Sequence, residues 1–208
     1  MTGYITLALV VVTALVSWQA WERQSLFDRL ILWPPAIDRR QQYDRLLTHG
    51  FIHADGMHLI FNMVTLYSFG QVMERYFSDR IGPVGYLLFY LSAVVIAILP
   101  TFMKHRHDAS YRSLGASGAV SAVLFASILL DPWNGIYLFF IPIPVPAFIF
   151  AGLYIWYSIW MERRGGDNIN HSAHLWGALY GMVFTLLQQP DLAAQFVRRL
   201  VSPAFGGS

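Results

Sequence analysis

Continuous apolar stretches separated by short polar interruptions organise this chain from its first residues onward. Six such stretches stand out, at about 4–20, 57–73, 82–103, 114–130, 146–161 and 173–188. Within them the apolar positions run on rather than alternate, which predicts helices and not barrel strands. Several fall at or below the ~20 residues a helix needs to cross a hydrocarbon core of ~30 Å. Helices that are short and flecked with polar residues sit inside a bundle or border a water-filled cavity. The second helix is expected to begin a turn or so before Met57. The first stretch lacks a basic leader, and no small-x-small cleavage site precedes Trp18–Trp21, so it is expected as a retained helix rather than a signal peptide. The pattern predicts an all-α membrane protein: one six-transmembrane-helix bundle over 1–208, with no separate soluble domain.

The connections carry their own signals. Residues 21–48 form the longest one, with Trp33-Pro34-Pro35 and five arginines. No helical pattern is legible in it, and a loop of that length is expected to be functional or interfacial. Trp18, Trp21 and Trp33 suit the headgroup level. The run Ile141-Pro142-Ile143-Pro144-Val145-Pro146 is expected to be extended, because alternating prolines forbid a helix there, and to lead into the fifth span with Pro146 in its first turn.

Composition agrees with a lipid solvent. Hydrophobic residues make up 56% of the chain and charged residues 12%, about half the ~25% charge of an average soluble domain. Mean hydropathy is +0.46. Disorder is excluded, since hydrophobicity is high and the net charge is only +2. The 14 bases and 12 acids are scattered, so no nucleic-acid partner is expected. The absence of cysteine removes disulfides, thiolate metal sites and a cysteine nucleophile. Charge bears on orientation as well. With the N-terminus inside, the inner connections carry Arg75, Arg80, Arg198 and Arg199. The outer ones then carry Arg23, Arg29, Arg39, Arg40, Arg45, Lys104, Arg106, Arg112, Arg163 and Arg164. Charge alone therefore places both termini outside.

Polar residues within the spans are the candidates for chemistry, because lipid makes them costly. Gly115-Ala116-Ser117-Gly118 opens the fourth span. It reads either as a small-residue helix contact or as a serine nucleophile at a helix start, where free backbone N–H groups would face an oxyanion. His174 stands one turn before Gly177, and Gly177 with Gly181 makes G-x-x-x-G. That glycine face lets the sixth span approach another helix closely and carries His174 with it. If the other helix is the fourth span, His174 meets Ser117. His58 and Asn62 share one face of the second span. Both can donate hydrogen bonds, either to an oxyanion or across helices. His49 and His53 add to a histidine count that invites a metal site. His53 and His58 are five apart and diverge on a helix, Asp55 does not complete a usual ligand spacing, and H-E-x-x-H is absent. No metal and no cofactor are expected.

These groups fall in the order His/Asn, Ser, His on spans two, four and six. In this the chain resembles the rhomboid family of intramembrane serine proteases, over roughly 45–181. His53 to Asn62 resembles the family's H-x4-H-x3-N, with Gly70 and Glu74 continuing it. Gly115 to Gly118 resembles its G-x-S-G, and Ala173-His174 with Gly177 and Gly181 its A-H-x2-G-x3-G. The resemblance implies Ser117 as nucleophile and His174 as general base. It implies His58, Asn62 and the Ser117 N–H as oxyanion hole. Gly115, Gly118, Gly177, Gly181, Arg45 and Glu74 become structural supports. It further implies substrates that are transmembrane proteins in the lipid bilayer, both termini in the cytoplasm and a site opening outward. A bacterial plasma membrane is the expected location. Two positions depart from the family. Asp44-Arg45 stands where Trp-Arg is common, and Ser121 where many members carry a tyrosine packed on the catalytic histidine. His174 is then either less firmly oriented or held by another group, such as Trp176 or Tyr180. Against the endopeptidase stand a catalytically inactive adaptor that binds membrane-protein clients, a small transporter and a scaffold. The adaptor would normally lack the serine or the histidine.

Overall fold

Helices and one short hairpin make up the described residues, 3–138 and 141–202, of the computed structural model. Helix α1 (Tyr4–Glu22) is followed by three short helices, α2 (Gln24–Leu30), α3 (Pro34–Arg40) and α4 (Arg45–Thr48), and a 3-10 turn at His49–Phe51. Then come α5 (Gly56–Lys104) and α6 (Ser117–Leu130). Strands β1 (Gly135–Leu138) and β2 (Ile141–Pro146) lead to α7 (Ala147–Arg164), α8 (His171–Gln188) and α9 (Leu192–Val201). By length and apolarity α1 and α5 are able to cross a membrane, and α6 is a shorter apolar helix.

Helix α5 has 49 residues and would be about 74 Å long if straight. It is not straight. Gly82 has φ 76° and ψ 165°, outside the helical region, and Pro83 follows. A proline disfavours helix at the residue before it and suits the first turn of a new one. The element is therefore two arms, 56–81 and 83–104. The first arm runs eight residues beyond the expected end at 73. Glu74, Arg75, Asp79 and Arg80 are polar, yet no breaker interrupts the backbone before Gly82.

Helix α6 is the axis of the molecule. Every residue from Gly118 to Leu129 is buried, as expected of a helix apolar all round. The arms of α5 and helix α8 surround it. Helix α1 packs against the first arm of α5, and its start is held by one carboxylate. Glu74 accepts N–H bonds from Gly3 (3.0 Å), Ile5 (3.1 Å) and Thr6 (2.8 Å). Those N–H groups lie at a helix start, where no intrahelical acceptor exists and the dipole favours an anion. Helix α7 is the outermost of the long helices, with only Ala147 and Ser158 buried.

The connection at 21–48 differs from expectation. It is largely helical, and α3 is buried at Pro34, Pro35, Ala36 and Ile37. Helices of seven residues or fewer make two turns at most, too few for a 3.6-residue period to be legible. Leu32 and Ile37 pack with Ile98 and Ala173, so the segment is folded into the bundle. Arg45 ties it together, donating to the carbonyls of Asp28 (2.8 Å) and Ile31 (2.7 Å) and to Gln42 Oε1 (2.7 Å). Beside it Asp44 pairs with Arg29 at 2.7 Å, which holds the Asp44 carboxyl below its usual range. The proline run is extended as expected. It also pairs with β1, Ile136 against Val145, and Pro146 stands just before α7 rather than within its first turn.

Candidate active site

Three supports hold the segment that leads into Ser117. Leu32 and Ser113 exchange backbone hydrogen bonds of 3.0 and 3.2 Å. The Gly115 N–H donates to the His49 carbonyl at 2.9 Å, and the Ala116 N–H to His53 Nε2 at 3.3 Å. Since Nε2 accepts, His53 carries its hydrogen on Nδ1, which faces Ser17 Oγ at 3.0 Å. Ser17 in turn donates to the Phe51 carbonyl. Burial keeps His53 neutral, its pKa pushed down to about 3. His49 and His53 thus serve the serine loop. Gly115 turns the chain with φ 111°, which a side chain would strain. A Cβ there would also lie 2.7 Å from His58 Cε1. Ser117 emerges at the first turn of α6, where backbone N–H groups lack intrahelical partners.

The histidine comes from α8. Asn170 caps this helix, its Oδ1 accepting the Ala173 N–H at 2.9 Å. The same oxygen accepts from Thr101 Oγ1 (3.1 Å), and Nδ2 donates to Ser113 Oγ (3.2 Å). One residue so joins α5, the serine loop and α8. Below the cap, α8 meets α6 backbone to backbone. A Cβ on Gly177 would stand 2.0 Å from the Gly118 carbonyl oxygen, and one on Gly181 2.1 Å from that of Ala122. Gly118 returns the contact less tightly, since its Cβ would lie 3.3 Å from the Ala173 carbonyl oxygen, and it also lets α5 close in, with Ala97 Cβ at 2.8 Å. At the top of this seam His174 Nε2 lies 2.7 Å from Ser117 Oγ.

His58 and Asn62 stand on the first arm of α5. Asp55 caps that arm by accepting the His58 N–H at 2.8 Å. The His58 ring covers Gly115 and meets the His53 ring edge-on at 4.9 Å. Asn62 is buried one turn further on, and its Nδ2 donates to the His58 carbonyl at 2.9 Å. One of its two amide hydrogens is thus used within the helix. Ser117, His174, Gly115 and His58 converge. Arg45 and Glu74 do not belong to this cluster. Glu74 is 16 residues beyond His58 on one helical arm, about 24 Å along it, and its work is at the start of α1.

His174 is held by another group, but by neither Trp176 nor Tyr180. Trp176 faces outward. Tyr180 bonds Ser92 Oγ at 2.6 Å and stacks on Phe89. The ring against His174 belongs to Tyr154 of α7, with centroids 5.9 Å apart and planes at 25°. Its hydroxyl lies 2.7 Å from Ser121 Oγ. His171, buried one turn before His174, approaches edge-on at 5.8 Å. Its Nε2 is 3.0 Å from Asp167 Oδ2, and this contact lowers the Asp167 carboxyl. Of these missed residues only Asn170 had a sequence signal, an asparagine three residues before a helix's first fixed N–H.

A family model described as the rhomboid domain matches residues 40–190, and the chain belongs to the rhomboid family. Similar proteins include the RHOMBOID-like protein 12, mitochondrial, of Arabidopsis thaliana, 32% identical over 84% of this chain and 55% of the relative. Rhomboid protein 1, mitochondrial, of Saccharomyces cerevisiae is 28% identical over 74% of this chain and 44% of the relative. Rhomboid protease GlpG of Haemophilus influenzae is 25% identical over 88% of this chain and 89% of the relative. The chain spans about half the length of the plant and yeast relatives it matches. The family is one of integral, helical membrane proteins and includes intramembrane serine proteases. With mitochondrial proteins among the relatives, the expected bacterial plasma membrane has no support from them.

Proposed function

We propose that this chain is an intramembrane serine endopeptidase that hydrolyses a peptide bond in or near transmembrane helices of substrate proteins. The observation that carries the reading is the 2.7 Å contact between His174 Nε2 and Ser117 Oγ. It lies within hydrogen-bond reach, as a nucleophile and its base require. In this reading α1, the two arms of α5, α6, α7 and α8 are the six spans of one membrane domain. Both termini are cytoplasmic and the site opens on the other side.

His174 takes the Ser117 proton as Oγ attacks the scissile carbonyl carbon. The carbonyl oxygen becomes an oxyanion, held by the Ser117 N–H and by donors from His58 and Asn62. His174 then gives its proton to the leaving amine as the C–N bond breaks. Water attacks the acyl-enzyme, His174 taking a proton from it, and Ser117 Oγ leaves reprotonated. A dyad suffices for this sequence, because the acid of a triad chiefly orients the base.

The test is cleavage of a transmembrane-helix substrate by purified protein in detergent, with no metal or nucleotide added and EDTA present. Ser117→Ala and His174→Ala each remove nearly all turnover, and the double variant is no worse than either. A reporter fused after Ser208 stays cytoplasmic. Full activity in Ser117→Ala overturns the reading. A wild-type chain that binds a client yet neither cleaves it nor reacts with a fluorophosphonate favours the inactive adaptor.

A further inference from the structure

Tyr154 is the residue of α7 whose ring lies on His174. Its neighbours Leu153, Trp156 and Tyr157 are exposed at 58%, 63% and 44%, while its own ring turns inward onto His174. The 2.7 Å bond to Ser117 fixes one atom of the imidazole and the His171 ring meets it edge-on, which leaves a rocking motion about the Ser117 bond. A second ring lying nearly parallel, at 25°, closes off that motion on one face. The Tyr154 ring is itself pinned, because its hydroxyl meets Ser121 Oγ at 2.7 Å. Ser121 is four residues after Ser117 on α6, hence one turn away on the same face. The contacts therefore close a circuit, from Ser117 to His174, to Tyr154, to Ser121, and back along α6.

We propose that Tyr154, pinned by Ser121, is the positioning residue that holds the His174 ring in line with Ser117. This rests on reading Ser117 and His174 as nucleophile and base. Tyr154 touches no reacting atom, so its effect falls on the rate of the chemical step. Misplacing a catalytic group by about an ångström is enough to lower turnover on the order of a hundredfold.

The experiment measures kcat and KM of the full chain in detergent on a transmembrane-helix substrate, with fluorophosphonate labelling rates on the same preparations. Tyr154→Leu removes the ring. It lowers kcat on the order of ten- to a hundredfold with KM within about twofold, and labelling slows in parallel. Tyr154→Phe keeps the ring and loses only about two- to fivefold. Ser121→Ala loses as little, and combining it with Tyr154→Phe adds nothing, since both delete one bond. Should Tyr154→Leu not fold, Tyr154→Met fills the same space with a flexible chain and repeats the test. Wild-type kcat in Tyr154→Leu or Tyr154→Met overturns the proposal, as does a Tyr154→Phe loss equal to that of Tyr154→Leu. A wild-type chain that neither cleaves nor labels overturns the dyad reading and this proposal with it.

Discussion

Helices α7 and α8 both reach α6, and they do so by opposite means. Helix α8 lies against it through backbone, with Gly177 and Gly181 pressed on the carbonyls of Gly118 and Ala122. Helix α7 turns mostly outward and reaches His174 through the side chain of Tyr154. A backbone seam cannot adjust without moving a helix, because a carbonyl has no rotamers to change. A side-chain contact can be lost while both helices stay in place. The serine and the histidine thus ride on the rigid pair, and the ring that steadies the histidine rides on the loose one.

The comparison breaks first at the seam. Gly177→Ala puts a methyl 2.0 Å from a backbone oxygen, so α8 must shift. Overpacking of this kind costs about 1–3 kcal/mol, and the shift lowers turnover on the order of a hundredfold by carrying His174 away. Trp156→Ala on the outer face of α7 changes stability by less than about 0.5 kcal/mol and leaves turnover alone. Melting temperature and kcat of both variants in one detergent check the pair. Equal effects would erase the distinction between the two helices.

Asn62 sharpens the account at the third helix of the site. Removing one oxyanion donor typically lowers turnover about 10²–10³-fold. With several donors sharing the charge, Asn62→Ala is expected to lose on the order of ten- to a hundredfold, with KM little changed. A lower melting temperature with unchanged turnover per folded molecule would reduce Asn62 to its bond with the His58 carbonyl.

Glu74 supplies the converse case, a buried charge far from the chemistry. Glu74→Ala leaves the N–H groups of Gly3, Ile5 and Thr6 without their acceptor. Each unsatisfied buried group costs about 1–3 kcal/mol, so melting temperature drops clearly while kcat of the folded fraction is unchanged. A loss of kcat in folded Glu74→Ala would show that the two ends of the first arm of α5 are coupled.

The seam was legible in the sequence because small residues at a spacing of four have few other uses in lipid, and His174 one turn away fell on the same face. Ser117 was legible through its flanking glycines, and Gly115 does need its positive φ. Tyr154 was not legible. Residues 146–161 carry Phe148, Phe150, Tyr154, Trp156, Tyr157 and Trp160, rings around about two-thirds of the helix, and no pattern says which one turns inward. Ser121 stands in the sequence only as the absence of a ring, and a serine does not announce that a phenol on another helix bonds it. The short helices of 24–48 were hidden by their length. Glu74 was recognisable as a structural residue, but its partners, 68–71 positions away in the chain, were not.

The central claim is that His174 activates Ser117. The most direct measurement is the site of covalent capture by a fluorophosphonate, read by mass on peptides of the detergent-solubilised protein. The account predicts a single adduct on Ser117, none in Ser117→Ala, and a rate lowered at least a hundredfold in His174→Ala. An adduct on another serine, or equal labelling with and without His174, would contradict it.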